Sequence, residues 1–299
     1  MRSPSFAAGR WVLSLAATIA VVAAAFLGGP RDAAAAPILL GTIGGGSHEQ
    51  GIPSTLVEID PATGGLLRTI GGVGYTVNGL TYDPTSGILY GSTSWHDPSY
   101  NGLITIDLTT GVGTPIGVDG WGWGGITITC ITTNSAGQMF GWSEDHDSLM
   151  SIATATGIAT WVGESDLNTR AYGLSFDNSD VLWFVNEGFE NPAYYTVDPT
   201  TGAAAWQGWL ASLAHHGDFD PVSGMYYGID NAWENPRNIL AIDLSTGSII
   251  STLPTVNNLH TLAFVNVPTT AIPEPTTLAL AGLGALGMAM RARRRRRRT

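Results

Sequence analysis

The groups in this chain that could do chemistry are histidines, carboxylates and tryptophans. His215 stands shortly before Asp218, an order that suits a general base and the carboxylate that orients it, and His260 would complete a trio for a hydrolase or lyase acting on a polysaccharide. A second set, Asn78, Trp121, Trp123, Tyr172, His215 and His260, has the composition of a sugar site. Aromatic faces pack on the apolar faces of sugar rings, while amides and imidazoles take the hydroxyls. A third set of Asp97, Asp145, Asp147 and Asp230, in loops that also hold His48, His96, His146, Glu187 and Glu234, offers oxygen to a hard cation such as Ca²⁺. Each set also has a plainer reading. Glycine-flanked tryptophans fill interiors, and acidic loops are solvated without a ligand. No Gly-x-Ser-x-Gly, phosphate-cradling loop, EF-hand spacing or zincin histidine pair is present, so no cofactor is identified and a non-enzymatic role is the leading expectation.

Charge narrows the partners. Between Ala36 and Ile272 there are 3 arginines, no lysine and 22 carboxylates, a formal charge of −19. Such a surface repels nucleic-acid phosphates and anionic lipid and suits cations, neutral glycans or basic proteins. Cys130 is the single cysteine, so no internal disulfide can brace the fold, and a lone apolar-flanked cysteine is expected inside a strand. Stability must come from a large core.

The elements that would position these groups repeat. A strand, an Asp, two turn residues, Thr-Gly and a second strand recur around Asp60, Asp107, Ala153, Asp198 and Asp243, with the glycines at 64, 111, 157, 202 and 247. The steps are 47, 46, 45 and 45 residues. Asp accepts amides from the turn that follows it and Gly takes the positive φ that closes the hairpin, so the motif is first a turn. A second hairpin signal lies between copies, at Tyr82-Asp83-Pro84, Asn134-Ser135-Ala136-Gly137, Phe176-Asp177-Asn178 and Phe219-Asp220-Pro221, each followed by an aromatic-rich strand. Four short strands per ~45 residues is the period of a β-propeller blade. The segment at Ile38-Leu39-Leu40-Gly41 lacks an inner strand and His260–Val265 lacks the outer three, so the two are expected to share a blade and leave no open edge. The expectation is an all-β propeller of five four-stranded blades, with a six- or seven-bladed ring or an open β-solenoid as alternatives. The Asp-x-x-Thr-Gly spacing and the Leu-Tyr-Gly strand resemble YVTN-like and quinoprotein-like propellers, relatives that often have six to eight blades.

Both ends of the chain read as addresses. Arg2 and Arg10, the apolar run Trp11–Leu27 and the alanines at 33–36 have the order of a secretory signal, cleaved after Ala34 or Ala35. At the other end Pro273-Glu274-Pro275 precedes an apolar stretch from Leu278 to Met290 and seven arginines between 291 and 298. Thirteen apolar residues make a helix of about 20 Å, short of a ~30 Å bilayer core, with the arginines held on the cytoplasmic side. This tail resembles the PEP-CTERM sorting tail. The resemblance implies recognition of Pro273, Glu274 and Pro275 by an exosortase, transient anchoring in the inner membrane, and delivery to the cell surface or extracellular polysaccharide matrix. The expected division is a signal at 1–35, a propeller at 36–267, and a linker with sorting tail at 268–299, with signal peptidase and exosortase as partners in export and a glycan or surface protein as ligand.

Overall fold

The computed structural model describes residues 37–44, 52–93, 97, 99–117, 120–122, 126–167, 171–186, 192–230 and 235–266, with only the backbone of 171–172. The expected signal segment, the apolar helix and the arginine cluster lie outside them. A compact unit spans Ala36–Val267, and its described residues form twenty strands in five four-stranded antiparallel sheets.

In chain order the first three strands are β1 (Ile38–Ile43), β2 (Thr55–Ile59) and β3 (Leu66–Gly72). They are followed by β4 (Val77–Asp83), β5 (Ile88–Thr93), β6 (Leu103–Ile106) and β7 (Gly113–Pro115). A third group comprises β8 (Ile128–Thr133), β9 (Met139–Ser143), β10 (Ser148–Ile152) and β11 (Ala159–Glu164). A fourth comprises β12 (Ala171–Phe176), β13 (Leu182–Asn186), β14 (Ala193–Val197) and β15 (Ala204–Trp209). The last five strands are β16 (His215–Phe219), β17 (Tyr226–Ile229), β18 (Asn238–Asp243), β19 (Ser248–Pro254) and β20 (Leu259–Val265). Four sheets are sequential meanders, and the fifth has the order β20-β1-β2-β3. There the last strand pairs antiparallel with the first, from Ile38 opposite Val265 to Ile43 opposite Leu259. The inner strands touch in the cycle β4, β8, β12, β16, β20 and back to β4, so the sheets stand radially around an axis as a five-bladed propeller closed as expected.

Each sheet is covered on both faces, and the inner strands β4, β8 and β20 are buried at every residue although they hold polar groups such as Asn78, Thr132 and His260. Adjacent residues of one strand serve adjacent seams: Leu40 packs with Val77 and Leu89 of the next blade, while Leu39 packs with Ile229 and Ile239 of the previous one. Five such clusters fill the five seams. Cys130 is fully buried in one of them, and burial pushes its thiol up to about 12, as fits a small apolar filler. Outer strands show the opposite habit. β19 alternates exposed and half-buried residues along its length.

The repeated Asp and Gly have two roles. Asp60 accepts hydrogen bonds from the Ala62 amide at 2.9 Å and the Thr63 hydroxyl at 2.7 Å, and Asp198 does the same with Thr200. The glycine that follows, at φ +79 in Gly111, closes the turn and also seats it on the outer strand of the preceding blade. A Cβ on Gly111 would stand 2.7 Å from the Gly71 carbonyl oxygen, and one on Gly64 would stand 2.6 Å from that of Pro254. The same seating holds for Gly157 on Ile116 and Gly202 on Gly163, while Gly247 rests on the Tyr194 ring with the Trp209 carbonyl at 3.2 Å. Backbone approach this close leaves no room for any side chain.

Candidate functional site

Of the residues expected at one mouth of the axis, His215 and His260 lie on either side of His216 and are buried there. β16 bulges between His215 and Asp218, which puts His216 at φ +41, a left-handed conformation uncommon outside glycine. The bulge lays the His216 ring against His260 of β20, centroids 4.6 Å apart, with His215 6.3 Å from His216. His215, His216, His260 and Arg237 are all buried, and Arg237 donates from Nη1 to the Leu259 carbonyl. Burial, with the Arg237 charge second, pulls the His215 imidazole down to about 3. Burial and then His260, His215 and Arg237 pull His216 well below its ordinary value. These rings are therefore neutral at pH 7. His215 and His260 were foreseen from the sequence. Arg237 was not, because it arrives from the loop before β18 and belongs to no repeated motif.

Asp218 does not orient either histidine. Its carboxylate accepts from Ser175 Oγ at 2.6 Å on β12, from its neighbour Phe219 N at 2.9 Å, and from Phe264 N at 2.8 Å on β20. Burial pushes it up to about 6 against the pull of these three donors. One carboxylate thus ties three successive inner strands, including the closing one.

The other expected ligand residues are placed as follows. Asn78 lies buried on β4, and Trp121 is 1% exposed, its Nε1 donating to Asn101 Oδ1 at 3.0 Å. Tyr172 lies on β12, and Trp123 is outside the described residues. Asp97 takes the Thr76 amide and the amides of Ser99 and Tyr100, and Asp145 takes the Thr127 amide. Both thereby cap the backbone where an inner strand begins. Asp230 braces Asn238 through its amide and side chain, and the Asp147 carbonyl accepts the Ser165 amide. Among the described residues no three metal-ligating side chains gather, and the oxygens of Asp97, Asp145 and Asp230 that the sequence offered to Ca²⁺ are engaged with the chain itself.

Between the mouths the axis narrows to a cavity of about 10 Å³, lined from all five inner strands by Gly79, Cys130, Leu174, His216, Leu262 and their neighbours. That is the room of roughly one water. The opposite mouth is open. A bowl of about 240 Å³ lies among the hairpins that follow the inner strands, and every blade contributes to it. Tyr82, Phe176, Phe219 and Phe264 form the floor, with Asn134, Asn178 and Asp180 on the rim. Cross-blade bonds hold it: Tyr82 Oη donates to the Asn266 carbonyl at 3.0 Å, Asn178 Nδ2 to the Pro221 carbonyl at 3.1 Å, and the Ser135 amide to Asp180 at 2.8 Å. The bowl's signal is present in the sequence as the aromatic-Asp pairs Tyr82-Asp83, Phe176-Asp177 and Phe219-Asp220, whose aspartates mark turns while the rings before them mark the floor.

Beyond the described propeller, Pro273-Glu274-Pro275 with the apolar and arginine segments after it identifies the tail. Residues 271–296 match the PEP-CTERM protein-sorting motif. The motif implies processing by an exosortase and export to the cell envelope or surface, so this is an exosortase-sorted exported protein with a propeller fold. No curated protein sequence matches the chain. Among solved structures, a chain of the nidogen/laminin complex is similar over 77% of this chain and 98% of its own, at 13% identity and a TM-score of 0.53, a likeness of fold alone. TolB from Acinetobacter baumannii is similar at 14% identity and a TM-score of 0.48, over 85% of this chain and 61% of TolB. Regucalcin from Agrobacterium tumefaciens, a calcium-binding protein, is similar at 22% identity and a TM-score of 0.39, over 66% of this chain and 61% of its own.

Proposed function

We propose that the protein is a non-enzymatic binding protein of the cell surface or extracellular polysaccharide matrix, and that its axial bowl is the contact surface for a glycan or surface protein. The observation that supports this is the contrast in use of polar groups. Asp218, the one carboxylate sequence-adjacent to the histidines, is spent on Ser175 and two backbone amides, while the bowl gathers an aromatic floor and a polar rim from all five blades. An aromatic floor with amide and hydroxyl neighbours is the make-up of a site for an uncharged polar ligand.

In this reading residues 1–35 are removed as a signal peptide, 36–267 are the working domain, and 268–299 are a linker and sorting tail that anchors transiently in the inner membrane. Replacing Pro273, Glu274 and Pro275 by alanine is expected to leave the protein in the membrane fraction, checked by fractionation and immunoblotting. Asn178→Trp, a bulky replacement at an exposed rim residue, is expected to weaken binding of purified extracellular polysaccharide or surface protein by the full chain. Chemical breakdown of the polysaccharide on incubation would instead support the hydrolase or lyase reading.

A further inference from the structure

A second feature lies far from the axis, on the outer strand of the fourth blade. β15 carries Trp206 and Trp209, 54% and 59% exposed. Two residues three apart on a strand ordinarily point to opposite faces. Here the register shifts, so that Trp206 stands opposite Tyr195 and Trp209 opposite Ala193. Tyr195 and Ala193 are two apart on β14, and the bulge therefore turns both indoles to one face, as bulges re-aim side chains elsewhere. The rings lie 5.8 Å apart at 65°.

The strand is fixed. The Leu210 amide donates to the Pro192 carbonyl at 2.8 Å, and the carbonyl of Trp209 faces Gly247 of the next blade, where a Cβ would stand 3.2 Å away. Gln207, at the bulge, donates to Thr196 Oγ1 at 3.0 Å.

We propose that Trp206 and Trp209 form a stacking platform for a neutral polysaccharide chain, separate from the bowl. Area decides against a protein occupant. Two indoles a little over half exposed offer roughly 170–280 Å², given the ~150–250 Å² an aromatic side chain can bury, against about 800 Å² per partner in a stable protein interface. Charge decides against an ionic one. No charged residue occurs from Pro199 to Gly217, nor in β14, within a domain otherwise dense in carboxylates. Two apolar rings set at an angle, about one sugar unit apart, match successive sugar rings of a twisted chain, whose apolar faces turn from one unit to the next. The choice of a sugar rests on the surface-binding reading above, but the site does not depend on the bowl.

The test uses the full chain with neutral glucan, galactan and mannan hexasaccharides, followed by tryptophan fluorescence and calorimetry. Expected are quenching on binding, a loss of affinity of at least tenfold in Trp206→Ala/Trp209→Ala with an unchanged melting temperature, and retention in Trp206→Phe/Trp209→Phe. Equal affinity of the double alanine variant and the parent overturns the platform. That result would leave the bowl as the sugar site and the proposed function intact. Binding of none of the three hexasaccharides also overturns it, as does a change from dimer to monomer in the alanine variant by sedimentation, which would make the patch a contact between copies.

Discussion

The two mouths of the axis are made by the same five inner strands and end in opposite ways. At one, a backbone bulge folds His216 onto His260, and the buried Arg237 donates to the Leu259 carbonyl beside them. At the other, the strands finish in Tyr82, Phe176, Phe219 and Phe264 and the hairpins spread into a bowl. Buried histidines and Arg237 therefore mark one end, and the open end is lined by aromatic rings, amides and the aspartates Asp177 and Asp180. Chemistry-bearing residue types in a propeller are thus a guide to where the ring is held shut as much as to where it is used.

The largest effect that would break this contrast is on stability. His260→Ala removes a buried ring from the sealed mouth and is expected to cost about 2–4 kcal/mol through the cavity it leaves, read by urea denaturation. A cost below about 0.5 kcal/mol would mean that the mouth is not packed.

The pH dependence comes next and tests the buried titratable groups, the histidines at one mouth and Asp218 beneath the floor of the other. The His215 pKa is lowered, so its contribution is fully present above about 6.5 and lost as pH falls toward about 3, with His216 acting in the same direction. The Asp218 pKa is raised, so its contribution is present below about 3.8 and lost as pH rises through about 6, an opposing effect of about 3 kcal/mol. The melting temperature is expected to rise between pH 4 and 6.5, because two histidines outweigh one carboxylate. Asp218→Asn should steepen that rise, and a flatter profile in the variant would contradict the assignment. The smallest effect belongs to the open end. Asn178→Ala loses one exposed bond to Pro221 and is expected to shift stability by no more than about 0.5 kcal/mol, so that binding and folding are separable there.

Much of the fold was legible because hairpin chemistry repeats. Asp60, Asp107, Asp198 and Asp243 make the turns their type requires, and Ala153 holds the same turn through its backbone alone, with the Gly157 amide on its carbonyl at 2.8 Å. The pairing of Ile38–Ile43 with Leu259–Val265 could be read from what each segment lacked. The site was less legible. A sequence shows that Asp97 and Asp145 carry free oxygens but not that the Thr76 and Thr127 amides occupy them. The turn that His216 makes is invisible until β16 and β17 are in register, and the same is true of the bulge that pairs Trp206 with Trp209.

The seated glycines have a consequence for how such a chain can change over time. Because Gly111 rests on Gly71 and Gly202 on Gly163, every copy is moulded to the back of its predecessor, and no copy is a freestanding module. A substitution at one of these positions damages two units at once. Duplicating or losing any complete period, wherever the cut falls, restores a matched pair at each junction. Length can therefore vary by whole periods far more readily than any one of these glycines can be replaced.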